Sequence, residues 1–232
     1  MRCAITYVPP PDDPLTVAAA AWLGRDSYSG MPHRIEVEGL TAGDHSFLTA
    51  LPRRSGFHAT LKPPFVLEEG HSVRELERRL GQYATRLVPI ALELTIAVID
   101  TFFALVPVRP IASLDTMAAN IVAEFDSYRR PMSPEDLERR SAARFTSTQL
   151  GNLAKWGSPF VFDQFRFHMT LTGPVDRAER EHVALVLARY FSGVSLAISV
   201  DRLVLAVQEE VHEPFGIHSA HPFARVPQLR IA

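Results

Sequence analysis

The sequence predicts an α+β fold of two pseudo-symmetric lobes, each an antiparallel sheet with helices on its outer face. Three observations carry this: short alternating apolar runs bounded by proline and glycine, helical periodicity between those runs, and an order of elements that repeats in the second half of the chain.

Cys3 to Val8 is a strand-like run halted by Pro9, Pro10 and Pro11, since proline has no N–H for the ladder. Residues 14 to 23 follow as a helix: Pro14 suits a first turn, and Leu15, Ala18, Ala19 and Trp22 recur at helical spacing. The polar stretch from Gly24 to Ser55 reads as loop with short elements. Gly56 to Phe65 alternates and stops at a proline pair, as a strand does. Ser72 with Glu75 three residues on is a capping box opening a helix through Leu76, Leu80, Tyr83 and Leu87. Ile90 to Ile99 is the next strand.

The second half runs through the same order. Phe102 to Val108 is a strand, and Ile111 to Phe125 is a helix with Leu114, Met117, Ala118, Ile121, Val122 and Phe125 on one face. A charged helical insertion covers about 133 to 156, opened by Ser133-Pro134-Glu135-Asp136. Phe165 to Thr172 is a strand, Asp176 caps a helix reaching Tyr190, and Leu196 to Val207 is a final strand. The reading is a single bilobal domain over 1–232, with lobe 1 at about 1–100, lobe 2 at about 101–232, and the tail packed on the body as a loop.

Composition narrows the function classes. A formal charge of -2 and a pI near 6.5 provide no basic field for a long nucleic acid, so any phosphate recognition is local. With Cys3 as the single cysteine, neither an internal disulfide nor a cysteine-based zinc site is possible, which favours a reducing compartment. The N-terminus meets prolines and aspartates before a signal-length apolar run forms, and the apolar region from Leu87 to Val108 is broken by Pro89, Glu93, Asp100 and Pro107. A cytoplasmic protein with no membrane partner is expected.

The feature that points to chemistry is a tetrapeptide, His-x-Thr-Leu, at the equivalent strand in both halves: His58-Ala59-Thr60-Leu61 and His168-Met169-Thr170-Leu171. Residues two apart in a strand share a face, so His58 lies with Thr60 and His168 with Thr170, while the other parity (Phe57, Ala59, Leu61; Phe167, Met169, Leu171) is apolar and faces the core. Two lobes related by a pseudo-two-fold axis bring the polar faces to one cleft. A neutral imidazole there removes a proton from water, a protonated one donates to a leaving oxygen, and threonine hydroxyls steady the phosphate oxygens. This scheme requires no metal and no cofactor.

The paired motifs resemble the two signatures of the 2H phosphoesterase superfamily. That resemblance implies a bilobal α+β fold, metal-free chemistry on cyclic nucleotide phosphates or RNA ends, His58 and His168 as catalytic residues, and Thr60 and Thr170 on the phosphate. Trp22-Leu23-Gly24-Arg25-Asp26, Gly56 to Phe65 and Phe165 to Gly173 are similar, more narrowly, to a branch whose genes accompany phosphonate-utilisation operons. The insertion at 133–156 departs from the minimal RNA-acting members.

Further substrate contacts are expected from Lys62 and Arg166, on the motif face by strand parity; from Tyr7, at the end of the first strand; from Arg25 and Tyr28, in a loop poised to fold over the cleft; and from Lys155 and Trp156 in the second lobe. His212, His218 and His221 match no metal-binding spacing. The expected function is hydrolysis of a small cyclic phosphate or nucleotide-derived phosphodiester, with phosphonate metabolism as the setting that the resemblance implies. The alternatives are processing of RNA 2′,3′-cyclic phosphate ends and non-catalytic binding of a phosphorylated metabolite.

Overall fold

In a computed structural model, which describes residues 1–141 and 144–224, eight strands form one continuous sheet. The strands are β1 (Arg2–Tyr7), β2 (Ala59–Phe65), β3 (Ile90–Ile99), β4 (Phe102–Pro107), β5 (Met169–Pro174), β6 (Ala197–Val200), β7 (Arg202–Gln208) and β8 (Gly216–Pro222). Their order across the sheet is β6-β3-β4-β5-β2-β1-β7-β8, and every pairing is antiparallel. The antiparallel α+β class expected from the sequence is the one observed.

The halves of the sheet differ from the halves of the chain. The expected lobe boundary near Asp100 falls inside the β3–β4 hairpin, whose tight turn holds Asp100 at φ 50°. β3 therefore joins the second half of the chain. Its counterpart β7 crosses back to pair with β1, and the single strand expected over Leu196 to Val207 breaks at Asp201 so that β6 can pair with β3. The third strand of each repeat is thus exchanged, a long-range choice to which local propensity is blind.

Among the described residues, seven α-helices flank the sheet: α1 (Pro14–Leu23), α2 (Ala42–Ser55), α3 (Val73–Ala84), α4 (Ala112–Glu124), α5 (Pro134–Ser141), α6 (Ser147–Trp156) and α7 (Arg180–Tyr190). Asp13 caps α1 with Pro14 in its first turn, and Ser72 caps α3 through the Glu75 N–H. The expected insertion corresponds to α5 and α6, with residues 142 and 143 outside the described ones. In α2, where a loop is expected, Thr41 accepts from the Asp44 N–H, and His45, Leu48, Thr49 and Pro52 form the buried stripe. Helical spacing is present there, but three of those four residues are of types that hydrophobic periodicity does not register.

The core lies between the helices and one face of the sheet, the back, which carries Ile5, Tyr7, Leu61, Leu105, Met169, Leu203 and Leu205. The tail expected as a loop forms β8, an edge strand on β7 whose alternating exposure shows that it is covered on one side only. No helix among the described residues is long and apolar enough to cross a membrane.

Candidate active site

The two His-x-Thr-Leu segments meet at the centre of the sheet. Ala59 on β2 is the register partner of Met169 on β5, both fully buried and facing the core. Antiparallel register then sets the flanking residues across from one another on the opposite, front face: His58 toward Thr170 and Thr60 toward His168. The sequence expects two facing sheets; the structure forms this group at the seam of one sheet.

Each histidine stands just ahead of its strand, where the chain is free of ladder pairing and can turn the ring. His58 Nδ1 lies 3.0 Å from the Gly56 carbonyl, and His168 Nδ1 lies 2.8 Å from the Arg166 carbonyl. A carbonyl only accepts, so both rings donate from Nδ1, and in the neutral state both keep Nε2 as the free base. Nε2 of His58 is 3.1 Å from Thr60 Oγ1, positioned to accept from the hydroxyl. The His168 ring packs against Phe102, with centroids 5.8 Å apart.

Desolvation of the His58 ring pulls its pKa below the ordinary histidine value, the Gly56 carbonyl works against this by bonding the charged form, and the nearby His168 adds a further lowering. A cavity of about 40 Å³ sits against His58 and Thr60, walled by Thr6, Ser27, Phe57 and Phe215. A wider hollow of about 400 Å³, bordered by Leu51, Ser55, Phe102 and Thr172, is shared by His58 and Thr170.

Gly56 and Ser27 hold His58 in place. Gly56 adopts φ 73°, and a Cβ there would lie 2.5 Å from Ser27 Oγ, so only glycine fits. Ser27 Oγ accepts from the Phe57 N–H at 2.7 Å and fixes the peptide that leads into the histidine. Thr6, the register partner of Thr60, adds another hydroxyl to the front face, and Ala104 stands beside Thr170. Sequence reading misses these four because none lies in the repeated motif. Only the alternation of Thr6 within its own strand hints at its position.

Several expected contacts lie elsewhere. Between Thr60 and Lys62 a β-bulge adds one residue, so Leu61 and Lys62 both turn to the back. Lys62 pairs there with Ile5 in register, donates to the Val122 carbonyl at 3.0 Å and lies 3.3 Å from Asp126. Burial lowers its pKa to about 8, against the opposing pull of Asp126. Tyr7 is likewise a back-face residue, buried with its hydroxyl donating to the Ser199 carbonyl.

Arg25 and Tyr28 do sit in a loop over the front face, but their polar ends are spent on it. Arg25 donates to the Phe215 carbonyl and the Tyr28 hydroxyl to the Pro9 carbonyl. Trp22 is core, donating to the Leu171 carbonyl. Lys155 and Trp156 lie beside Arg129, which donates to the Lys155 carbonyl, and Arg129 is paired with the same Asp126 that holds Lys62. That places them at the back-face cluster. Trp156 packs on Phe162 and Lys155 covers its ring. Arg166 is exposed, and it is its carbonyl that serves the site, through His168. His218 lies against Glu77 and His221 against Ser219, and no group of three or more metal-ligand side chains converges among the described residues.

Comparison with known proteins gives the chain its family. A ribose 1,5-bisphosphate phosphokinase PhnN of Janthinobacterium sp. (strain Marseille) is 31% identical over 230 residues, covering 96% of this chain and 51% of that protein. The PhnN of Laribacter hongkongensis (strain HLHK9) is 31% identical over 217 residues, covering 94% of this chain and 50% of that protein. The chain spans about half the length of these curated relatives. Among solved structures, TT0787 of Thermus thermophilus aligns at TM-score 0.46 and E. coli LigT complexed with 3′-AMP at 0.42, each 12% identical and each covering 97% of this chain and 98% of the other. The model of the family described as "Protein of unknown function (DUF1045)" matches residues 60–216, more than half of the chain and inclusive of Thr60, His168 and Thr170, and the chain belongs to that family.

Proposed function

We propose that this chain is a phosphoesterase that opens a small cyclic phosphate or nucleotide-derived phosphodiester by two-histidine acid/base catalysis. The observation that carries the reading is the seam itself: two imidazoles and two threonine hydroxyls around the Ala59–Met169 pair, with both rings tied back through Nδ1, which leaves Nε2 as the basic nitrogen of each. A pair of this kind supports general acid/base chemistry on the two sides of one phosphorus atom.

In the proposed reaction, water attacks phosphorus and gives its proton to one Nε2. The P–O bond to one ring oxygen of the substrate breaks, and that oxygen takes a proton from the other histidine. The product is a phosphate monoester with a free hydroxyl. His58, whose charged form is disfavoured by burial, suits the base, which leaves His168 as the acid. Thr170 donates to a non-bridging oxygen, and Thr60 and Thr6 do so once their hydroxyls turn from His58 Nε2 and the Val204 carbonyl.

The substrate class follows from chemistry as well as resemblance. A cyclic phosphodiester on a phosphorylated ribose opens to a ribose bisphosphate, the kind of compound in the name that the curated relatives bear. This agrees with a role in phosphonate metabolism, which the motif resemblance implies. The chain's small net charge favours a small substrate, or at most a short RNA end, over a long nucleic acid.

The test is turnover of cyclic ribose phosphates and 2′,3′-cyclic nucleotides without added metal, with His58→Ala and His168→Ala alongside. Hydrolysis by the unaltered protein and loss in both variants supports the reading. Binding without turnover would instead favour a sensor of phosphorylated metabolites.

A further inference from the structure

Beside the histidine site lies a hollow of about 400 Å³ whose polar lining is Arg2, Arg54, Ser55, Gln208 and His212, with no carboxylate among them. It adjoins the site through shared walls. Ser55 and Phe215 also line the small cavity against His58, and Leu51 and Ser55 border the wider hollow shared by His58 and Thr170. One residue, Ser55, thus touches all three spaces.

The two guanidiniums reach this hollow from different elements. Arg2 opens β1 on the front face, four residues before Thr6, which is the register partner of Thr60, so it stands ~13 Å along the strand from the catalytic row. Its Nε donates to Gln208 Oε1 at 2.7 Å and its guanidinium lies 5.5 Å from the centre of the Phe215 ring. These contacts hold the guanidinium between the Gln208 amide and the Phe215 ring. Arg54, near the end of α2 and four residues before His58, donates to the His212 carbonyl at 3.3 Å.

Neither guanidinium forms an ion pair with a carboxylate among the described residues, although Lys62, Arg79, Arg129, Arg139, Arg189 and Arg202 all do so. Glu209, Glu210 and Glu213 on the same β7–β8 hairpin are exposed, and none of them lines the hollow. Two guanidiniums lining one space, neither paired with a carboxylate among the described residues, suit recognition of an oxyanion.

We infer that this hollow is a subsite for a second anionic group on the same substrate, a phosphate monoester separate from the phosphodiester being opened. The inference rests on the hydrolytic reading for the first phosphate, and it narrows the substrate to a small molecule with two phosphorus centres. It also gives the β7–β8 hairpin a role, since Phe215 both walls the His58 cavity and supports Arg2.

Calorimetric titration with ribose 1-phosphate and ribose 1,5-bisphosphate, which differ by one phosphate monoester, tests it without requiring turnover. The bisphosphate is expected to bind at least about tenfold tighter, with an advantage that shrinks as salt is raised. Arg54→Ala and Arg54→Glu, at an exposed position, are expected to remove most of that advantage, and Arg2→Ala with Arg54→Ala all of it. Equal affinities in the unaltered protein, or an advantage that survives Arg54→Glu, overturn the subsite. Hydrolysis of a cyclic phosphate with no bisphosphate preference would sink the subsite alone, whereas the preference without hydrolysis of any cyclic phosphate would sink the catalytic reading alone.

Discussion

Ala59 and Met169, opposite one another and fully buried, are the register pair between β2 and β5. Each is flanked by the polar residues of its motif, so the spacing of this pair sets the spacing of the histidines. Replacing Ala59 by Leu overfills the seam and is expected to destabilise by about 1–3 kcal/mol. The rate is expected to fall by more than the folded fraction does, which parallel denaturation and kinetic measurements would detect; an unchanged rate per folded molecule would show that the seam does not set the geometry.

Both histidines are expected to be indispensable to turnover. Removing either by His58→Ala or His168→Ala lowers the hydrolytic rate by roughly 10²-fold or more, the usual scale for a general acid or base. Retention of activity in both variants refutes the assignment.

The pH profile carries a sign. Burial, with the charge of His168, holds His58 below the ordinary histidine pKa, so its neutral form persists to lower pH and the acid limb of the rate profile lies below ~6.5. In His168→Ala the neighbouring charge is gone, and the His58 pKa is expected to rise. An NMR titration of the His58 ring reads this directly, and a fall or no change contradicts the coupling. Stability follows the same sign: a depressed folded-state pKa means that the contribution of His58 is complete above its unfolded pKa and is lost as pH falls through the folded one.

Gly56 and Ser27 are expected to matter for His58 in different ways. Gly56→Ala forces a Cβ onto Ser27 Oγ at a φ of 73°, and is expected to cost about 1–3 kcal/mol. Ser27→Ala relieves no clash but strands the buried Phe57 N–H, costing about 1–3 kcal/mol. In Ser27→Ala the Nδ1–H signature of His58 in a ¹⁵N spectrum is expected to blur as the Gly56 carbonyl drifts; a sharp, unaltered tautomer would show that Ser27 supports the fold alone.

Lys62 belongs to stability. Asp126→Ala strands a buried ammonium and is expected to cost about 3 kcal/mol, discounted somewhat because Asp126 is 25% exposed, while Lys62→Met, apolar and of similar length, costs less. Chemical denaturation orders the two, and the reverse order would contradict a pairing role.

The sequence by itself determined the class of fold, the repeat of strand and helix, and the four residues of the two motifs, because each of these is a local matter of periodicity, capping or identity. His58, Thr60, His168 and Thr170 were readable since strand parity places them on one side wherever the strands go. Only the tertiary structure decided which strands pair. It exchanged β3 and β7 between the halves, inserted the bulge that turned Lys62 away, buried Tyr7, and brought Thr6, Ser27 and Arg2 to the front face from segments with no motif. Those outcomes depend on register and on contacts between residues far apart in the chain, where a shift of one position reverses the face of every side chain that follows.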